Sequence, residues 1–310
     1  MSALLLLLLA SLAAAQTNAG EIGGIVRTIS GDVLPGATVR AVQPATGLVV
    51  ERVTDAQGRF FLPALRIGRW NIIVTLGGFA SQTRYGVELE LGRTLDLEFA
   101  LGLAGITEEV TVAAIIPLLQ TTTAEISDVI GNREVVQIPL NGRNVLALAQ
   151  LSDAVVMPPG GTRGEALQQA GPLPNVGGQR SGHNIYLLDG AKVTDELFNN
   201  LVINPSVDSI EEFKIQKSMY PAEFGGKASA LINVATKAGS NAFRGSVFEF
   251  HRNEALDSPN YFQPKQQPMP PLRQNQFGAA VGGPIAANRA FFFGSFEGTR
   301  LSRSLTRTFS

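Results

Sequence analysis

The side chains from which a catalytic or metal site could be built are few in this chain. Its two histidines, His183 and His251, do not occur in H-E-x-x-H or H-x-x-E spacing, so a zinc peptidase site is not available. The absence of cysteine excludes disulfides, thiolate ligands and thiol nucleophiles. Asp189 and Asp195 could be drawn as a carboxylate pair, but no neighbouring residue supplies a mechanism. We therefore predict that the protein is not an enzyme and holds no metal or cofactor.

Backbone hydrogen bonding to a partner is the chemistry that residues 105–127 offer. Glu109, Val110, Thr111 and Val112 form a short β-prone stretch with glycine, alanine and proline on its flanks. Such a stretch within a flexible tether can add itself as a strand to the exposed edge of a partner's sheet. The alternative is that these residues end the last strand of the preceding domain, and the local residues support both interpretations equally.

The N-terminus reads MSALLLLLLASLAAAQ and predicts export. The apolar run from residue 3 to residue 15 is shorter than the ~20 residues that a membrane-spanning helix needs. It fits the core of a signal peptide at residues 1–15, with three alanines before Gln16 as an A-x-A cleavage site. No Lys or Arg precedes the leucines, which departs from the usual signal-peptide pattern. A buried core helix is the alternative.

Composition and charge favour a β-rich chain without a charged polymer as its partner. The 310 residues allow two or three domains. Lys and Arg total 25 and Asp and Glu total 26, so net charge attracts the chain neither to nucleic acid nor to an acidic membrane surface. The 33 glycines and 17 prolines indicate many turns and therefore many short strands.

Residues 21–101 alternate between apolar and polar positions in short runs separated by turn residues. Two runs place apolar side chains on a single face: Trp70, Ile72, Val74 and Leu76, and then Leu95, Leu97, Phe99 and Leu101. About seven such runs within roughly eighty residues predict an antiparallel sandwich whose sheets each have one face in water.

Residues 120–240 predict a small α+β domain with long loops. A short helix is indicated by apolar residues at helical spacing behind a possible asparagine cap: Val145, Leu148 and Leu151 behind Asn141 or Asn144. Further on, Ile185 and Leu187 alternate into an Asp189-Gly190 pair, which is a hairpin signal. Strands follow at EEFKIQKS and ALINVATK.

The strands after residue 240 carry phenylalanines in alternation with other residues. Phe248 and Phe250 share a face in FRGSVFEFHRN, and Phe292 and Phe296 share a face in AFFFGSFEGTR. QFGAAVGG and AFFFGSFEGTR, separated by PIAAN, predict a hairpin. Transmembrane barrel strands also alternate, apolar-out with polar-in, but these residues by themselves favour the core strands of a soluble sandwich.

The motifs between residues 20 and 103 resemble a carboxypeptidase-regulatory-like domain, which is a transthyretin-like β-sandwich. They are G-x-V, LPGATV, T-D-x-x-G-x-F and L-x-x-G-x-W-x-I-x-V, in that order. The resemblance implies a structural or spacer module.

Four later stretches resemble, in order and spacing, the plug and first barrel strands of TonB-dependent outer-membrane receptors. They are QIPLNGRN, NIYLLDGAKVTD, the run from SIEEFKIQKS through FRGSVFEFHRNEALDSPNYF, and QFGAAVGGPIAANRAFFFGSFEGTR. The likeness is greatest to the Oar-like subgroup, which carries an additional N-terminal carboxypeptidase-regulatory-like domain. It implies a mainly β chain with a sandwich at 20–103, a linker at 104–119, an α+β plug at 120–240 and the first strands of an incomplete antiparallel transmembrane β-barrel at 241–310.

The resemblance also implies partners and site residues. In this family a plug sits inside an outer-membrane barrel of about 22 strands. A periplasmic segment, the TonB box, pairs with TonB by strand addition and so powers the uptake of an extracellular substrate. The implied box is Glu109, Val110, Thr111 and Val112. The implied apical-loop residues of the plug are Asp189, Lys192 and Asp195. The implied lipid-facing residues of the first barrel strands are Phe248, Phe250, Phe292 and Phe296.

Three strands cannot close a barrel, and a spanning sheet must close because lipid offers no hydrogen-bond partners. We therefore expect the chain to be part of a longer receptor and not to transport its unidentified substrate alone. The alternative function is that of a secreted or surface β-module protein for binding or adhesion, without a channel.

Overall fold

A computed structural model describes the following residues: 19–104, 125–138, 140–158, 173–195, 199, 201–220, 224–226, 229–259 and 269–303. The signal-peptide prediction at 1–15 and the strand-addition candidate at 109–112 lie outside the described residues. The chain divides into two compact units, Met1–Lys237 and Ala238–Ser310.

Seven strands at the start of the first unit build a sandwich of two sheets. They are β1 (Ala19–Thr28), β2 (Thr38–Gln43), β3 (Leu48–Val53), β4 (Arg59–Arg66), β5 (Gly68–Thr75), β6 (Gln82–Leu89) and β7 (Thr94–Leu101). One sheet has the order β4-β1-β7 and the other the order β3-β2-β5-β6.

The sandwich core forms because apolar side chains alternate with polar ones along the strands. Trp70 and Ile72 of β5 and Phe99 of β7 are fully buried and belong to one cluster that residues of both sheets share. The indole N–H of Trp70 donates to the backbone oxygen of Arg66 at 2.8 Å, which satisfies its one polar atom. The predicted β-sandwich is confirmed.

One strand pairing differs from the antiparallel sandwich that the sequence predicts. β1 runs parallel to β7, with Ile22 opposite Leu95 and Gly24 opposite Leu97. Side chains alternate in the same way along parallel and antiparallel strands, so the residue pattern carries no information on direction. The pairing depends on a glycine, because a Cβ at Gly24 would lie 1.9 Å from the backbone oxygen of Leu97.

Residues 125–237 form what we call the mixed-sheet unit. Its elements are β8 (Ile126–Gly131), α1 (Asn132–Gln137), β9 (Val155–Val156), β10 (Asn175–Val176), β11 (Ile185–Leu188), β12 (Ala191–Lys192), β13 (Ile210–Ser218) and β14 (Leu231–Thr236). The main sheet has the order β12-β11-β14-β13-β8, and β9 pairs with β10 separately. β11 and β14 are parallel, and the other neighbours in the main sheet are antiparallel.

The larger core cluster of the mixed-sheet unit lies on one face of its main sheet, and a smaller one lies on the other. Phe213 and Ile215 of β13 are buried in the larger cluster, which includes Val145 and Leu148. The latter two belong to a 3₁₀ helix, Val145–Leu151, where the spacing had predicted a short helix. Asn144 caps it, because its side-chain oxygen accepts a hydrogen bond from the backbone N–H of Leu146 at 2.9 Å.

The second unit contains a three-stranded antiparallel sheet of β15 (Arg244–Asn253), β16 (Leu272–Ala286) and β17 (Ala290–Arg303). The predicted hairpin is confirmed as β16 and β17, which pair along nearly their whole length. No helix in the described ranges is long and apolar enough to cross a membrane. The prediction of a mainly β chain is confirmed.

Candidate functional site

The histidines do not contribute to a metal or catalytic cluster. His183 is exposed in a 3₁₀ turn of the mixed-sheet unit, and His251 is exposed on β15, where its Nδ1 contacts Oδ1 of Asn275. Across the described ranges, no group of three or more His, Cys, Asp or Glu side chains could hold a metal ion.

The three residues predicted for an apical loop belong to one hairpin and its continuation. Asp189 and Gly190 both have positive φ, 49° and 78°, between β11 and β12, which is the backbone of a two-residue type I′ turn. The carboxylate of Asp189 accepts hydrogen bonds from the backbone N–H and hydroxyl of Thr236, at 2.8 and 2.7 Å. Lys192 is exposed on β12. The backbone oxygen of Asp195 accepts from the N–H of Asn199 at 2.8 Å. Asp189 therefore joins the hairpin to the end of β14.

A turn of the sandwich contacts the mixed-sheet unit. The turn spans residues 90–93, and the side chain of Leu91 within it is fully buried. The backbone N–H of Leu91 donates to Oε2 of Glu212 at 2.7 Å, and Nζ of Lys214 donates to the backbone oxygen of Gly92 at 3.3 Å. Glu212 and Lys214 both lie on β13, with their side chains on the face opposite the Phe213 core. This set of contacts is called the docking contact below.

A buried ion pair lies within the docking contact. Nζ of Lys214 is 2.8 Å from Oε1 of Glu125, and the two side chains are only 3% and 8% exposed. Burial by itself would raise the pKa of the Glu125 carboxyl. Hydrogen bonds from Lys214, Ser127 and Gln216, with the charge of Lys214, outweigh that effect and lower the pKa below its usual value.

Glu212 has the opposite electrostatic environment. Burial raises the pKa of its carboxyl to about 7, although the hydrogen bond from Leu91 acts to lower it. The negative charges of Glu90, Glu211 and Glu88 add to the increase. The docking contact therefore contains one carboxylate held ionised by a lysine and one carboxyl whose charged form is disfavoured.

The sequence interpretation missed this site. In the run EEFKIQ the polar residues Glu212, Lys214 and Gln216 alternate with Phe213 and Ile215, which is also the pattern of a strand with one face in water. No local signal shows that another part of the chain covers the polar face. The available hint is a lysine among glutamates on a strand whose other face is strongly apolar.

The strand register corrects the assignment of a lipid-facing surface to four phenylalanines. Phe248 pairs with Gly278, which pairs with Glu297, whereas Phe296 pairs with Ala279. Directly paired residues project from the same face, so Phe248 and Phe250 lie on one face and Phe292 and Phe296 on the other. The side chain of Phe250 is 50% exposed and that of Phe296 is 64% exposed, so exposure of these two residues does not show which face meets lipid. One apolar outer face can hold only one of the two pairs.

The face that carries Phe292 and Phe296 also carries Val247, Phe277 and Val281, all of them exposed, and we call it the aromatic face. Its central block is Val247 of β15, Phe277, Ala279, Val281 and Gly283 of β16, and Phe292, Gly294, Phe296 and Gly298 of β17. The rings of Phe277 and Phe296 lie with centroids 6.3 Å apart. At one end the block gives way to polar residues: Glu249, His251, Asn275 and Arg300. The opposite face carries Phe248, Phe250, Phe291 and Phe293, and it places the first two beside Gln276, Glu297 and Thr299.

Comparison with known proteins gives two family matches and one curated relative. Residues 21–102 match the carboxypeptidase regulatory-like domain, and residues 235–310 match the outer membrane beta barrel domain. The TonB-dependent transporter Oar of Myxococcus xanthus is 26% identical over 321 aligned positions, which cover 97% of this chain and 28% of that protein. The chain is a homologue of Oar. It spans 28% of the length of that relative.

Solved structures are more distant from this Oar homologue. The siderophore receptor PirA from Acinetobacter baumannii is 18% identical, with a TM-score of 0.39 over 55% of this chain and 24% of that one. Chlorocatechol 1,2-dioxygenase from Pseudomonas putida is 17% identical, with a TM-score of 0.22 over 28% of this chain and 61% of that one. TM-scores this low do not establish a common fold.

The matches settle the location of the Oar homologue. Its outer membrane beta barrel domain makes it an outer-membrane protein, as the sequence predicts. The homology is to a transporter, and the prediction that the protein is not an enzyme is confirmed on that ground.

Proposed function

We propose that this chain supplies the N-terminal sandwich, the plug and the first barrel strands of a TonB-dependent receptor that takes up an extracellular solute. The observation that carries the proposal is the order of the parts. A regulatory-like sandwich at 21–102 is followed by the mixed-sheet unit, and then by a match to an outer-membrane barrel at 235–310. In this assignment the mixed-sheet unit is the plug.

The aromatic face is the lipid-facing side in this proposal. It supplies an apolar block that ends at polar residues on one side, which is the pattern of a spanning strand at the edge of the hydrocarbon layer. Phe248 and Phe250, with Gln276 and Glu297 beside them, then belong to the polar interior of the barrel. Asp189, Lys192 and Asp195 remain our candidates for an apical surface of the plug.

Glu109, Val110, Thr111 and Val112 are the proposed TonB box. They occur between the sandwich and β8, so a strand added there could transmit a pull to the mixed-sheet unit. Backbone pairing needs only an extended segment and an exposed partner edge, so the run EVTV suits that role.

The proposal is tested by site-specific crosslinking in the full-length gene product. Residues 1–310 contain no cysteine, so Val110→Cys introduces the one thiol of this part of the receptor. It should form a disulfide with a cysteine-bearing edge strand of the periplasmic TonB domain. Val53→Cys, on the exposed strand β3, is the matched control and should not crosslink. A Val110→Cys yield no higher than the control removes the TonB-box assignment. Recovery of the full-length product in the soluble periplasmic fraction would favour the secreted binding protein.

A further inference from the structure

The docking contact is polar, which is unusual for a contact that buries its residues so completely. A buried charge is costly unless it is paired and hydrogen-bonded. Lys214 meets this condition because its ammonium is paired with the Glu125 carboxylate and donates a hydrogen bond to the backbone oxygen of Gly92. The first partner belongs to the mixed-sheet unit and the second to the sandwich. A single ammonium group therefore links the internal ion pair to the attachment of the sandwich.

Glu125 occupies a position from which it can be withdrawn. It immediately precedes β8, and β8 is the edge strand of the main sheet, joined there to β13. It is also the first described residue after the sequence that connects the sandwich to the mixed-sheet unit. Any displacement of the chain ahead of β8 acts on Glu125 before it acts on the rest of the sheet.

We propose that the sandwich is a releasable module, held on the mixed-sheet unit through Lys214, and that withdrawal of Glu125 from Lys214 releases it. Without Glu125, the ammonium of Lys214 keeps only a neutral carbonyl in a buried site. Hydration of that ammonium then favours separation of the turn at residues 90–93 from β13. The inference rests on the proposed function only in its trigger, which is a pull by TonB on residues 109–112. The contact itself is independent of TonB.

The test measures the separation of the two modules directly. Spin labels are placed on the full chain in detergent micelles at Val53→Cys in the sandwich and Val202→Cys in the mixed-sheet unit, both exposed positions. Double electron–electron resonance should give one narrow distance peak for the otherwise unchanged chain. Glu125→Gln should cause loss of that peak and a shift to longer, broader distances, although Glu125 makes no hydrogen bond to the turn among the described contacts. Lys214→Met should cause the same loss.

Two variants keep the test specific. Glu212→Gln retains an oxygen acceptor for the N–H of Leu91 and should keep the narrow peak. Arg40→Met removes a cation from the exposed Arg40–Glu51 pair of the sandwich and should also keep it. Leu91→Asp adds a carboxylate beside Glu212 without altering the mixed-sheet unit. It should release the sandwich even if Lys214→Met fails to fold.

The outcomes separate the claims. A narrow distance peak that survives Glu125→Gln overturns the coupling. A broad distance distribution in the spin-labelled chain that keeps Glu125, Lys214 and Leu91 overturns docking itself. Loss of the peak on Glu125→Gln, with Arg40→Met unchanged, supports the proposal. Because the measurement needs no TonB, failed crosslinking at Val110 would remove the trigger and leave the docking result intact.

Discussion

Lys214 and Glu125 form a buried ion pair with a 2.8 Å N–O separation, and the same lysine nitrogen lies 3.3 Å from the backbone oxygen of Gly92 in the sandwich. The pair therefore belongs both to the interior of the mixed-sheet unit and to its contact with the sandwich. Its contribution to the free energy of unfolding can be compared with that of an exposed ion pair, Arg40–Glu51.

Removing one partner of this pair should cost more than removing both. Lys214→Met leaves Glu125 buried without a cation, and we expect a loss of about 3–5 kcal/mol in the free energy of unfolding. The double variant Glu125→Gln/Lys214→Met leaves no buried charge and should recover a large part of that loss. Urea denaturation of the four proteins of the cycle measures the coupling. Arg40→Met, at an exposed pair, should cost less than about 1 kcal/mol. A loss for the double variant equal to the sum of the two single losses would show that the two side chains are not coupled.

Attachment of the sandwich should weaken as the pH rises toward and beyond neutrality. The pKa of Glu212 is raised from 4.5 to about 7 in the folded chain, so the folded state binds the proton more tightly than the unfolded state. The stability that this proton contributes is fully present below pH 4.5 and is lost as the pH rises through about 7. The surrounding charges are Glu88 and Glu90 from the sandwich and Glu211 and the Glu125-paired Lys214 from the mixed-sheet unit.

Spin-label distances at about pH 5.5 and about pH 8.5 measure this effect. The unmodified docking contact should show a larger undocked fraction at the higher pH. Glu212→Gln, which cannot ionise, should show the same fraction at both. A pH response that persists in Glu212→Gln would assign the titration to another group.

The two faces of the three-stranded sheet should differ in their contact with lipid. In a Trp70→Phe background, which removes the single tryptophan of residues 1–310, the fluorescence that Phe296→Trp adds to the reconstituted full-length protein should be quenched by brominated lipid chains. Phe250→Trp, on the opposite face, is the matched control and should be quenched far less. Stronger quenching at position 250 would reverse the assignment of the faces.

Two adjacent glycines of β1 should respond very differently to alanine. A Cβ at Gly24 would lie 1.9 Å from the backbone oxygen of Leu97, whereas a Cβ at Gly23 would meet its nearest neighbour, a ring carbon of Phe61, at 3.6 Å. Gly24→Ala should therefore separate β1 from β7 and cost more than about 2 kcal/mol. Gly23→Ala should cost under about 1 kcal/mol, because an ordinary contact is made. Thermal unfolding followed by the fluorescence of buried Trp70 distinguishes the two.

Local sequence patterns predict much of the fold. The alternation around Trp70 and Phe99 predicts buried strand faces, and the Asp189-Gly190 pair predicts the hairpin between β11 and β12. Both signals depend on neighbouring residues alone: successive side chains of a strand point to opposite faces, and Asp-Gly tolerates the positive φ that a tight hairpin needs. The cap at Asn144 follows the same logic, although the pattern left Asn141 equally possible.

The sequence by itself determined which residues form strands and which side chains of one strand share a face. Only the tertiary structure decided how those strands relate: that β1 is parallel to β7, that Phe248 and Phe296 lie on opposite faces, and that Glu212 and Lys214 are covered by a turn of the sandwich. The physical reason is that direction, register and coverage depend on contacts between segments far apart in the chain. A strand with alternating charges has the same local pattern whether its polar face meets water or another module.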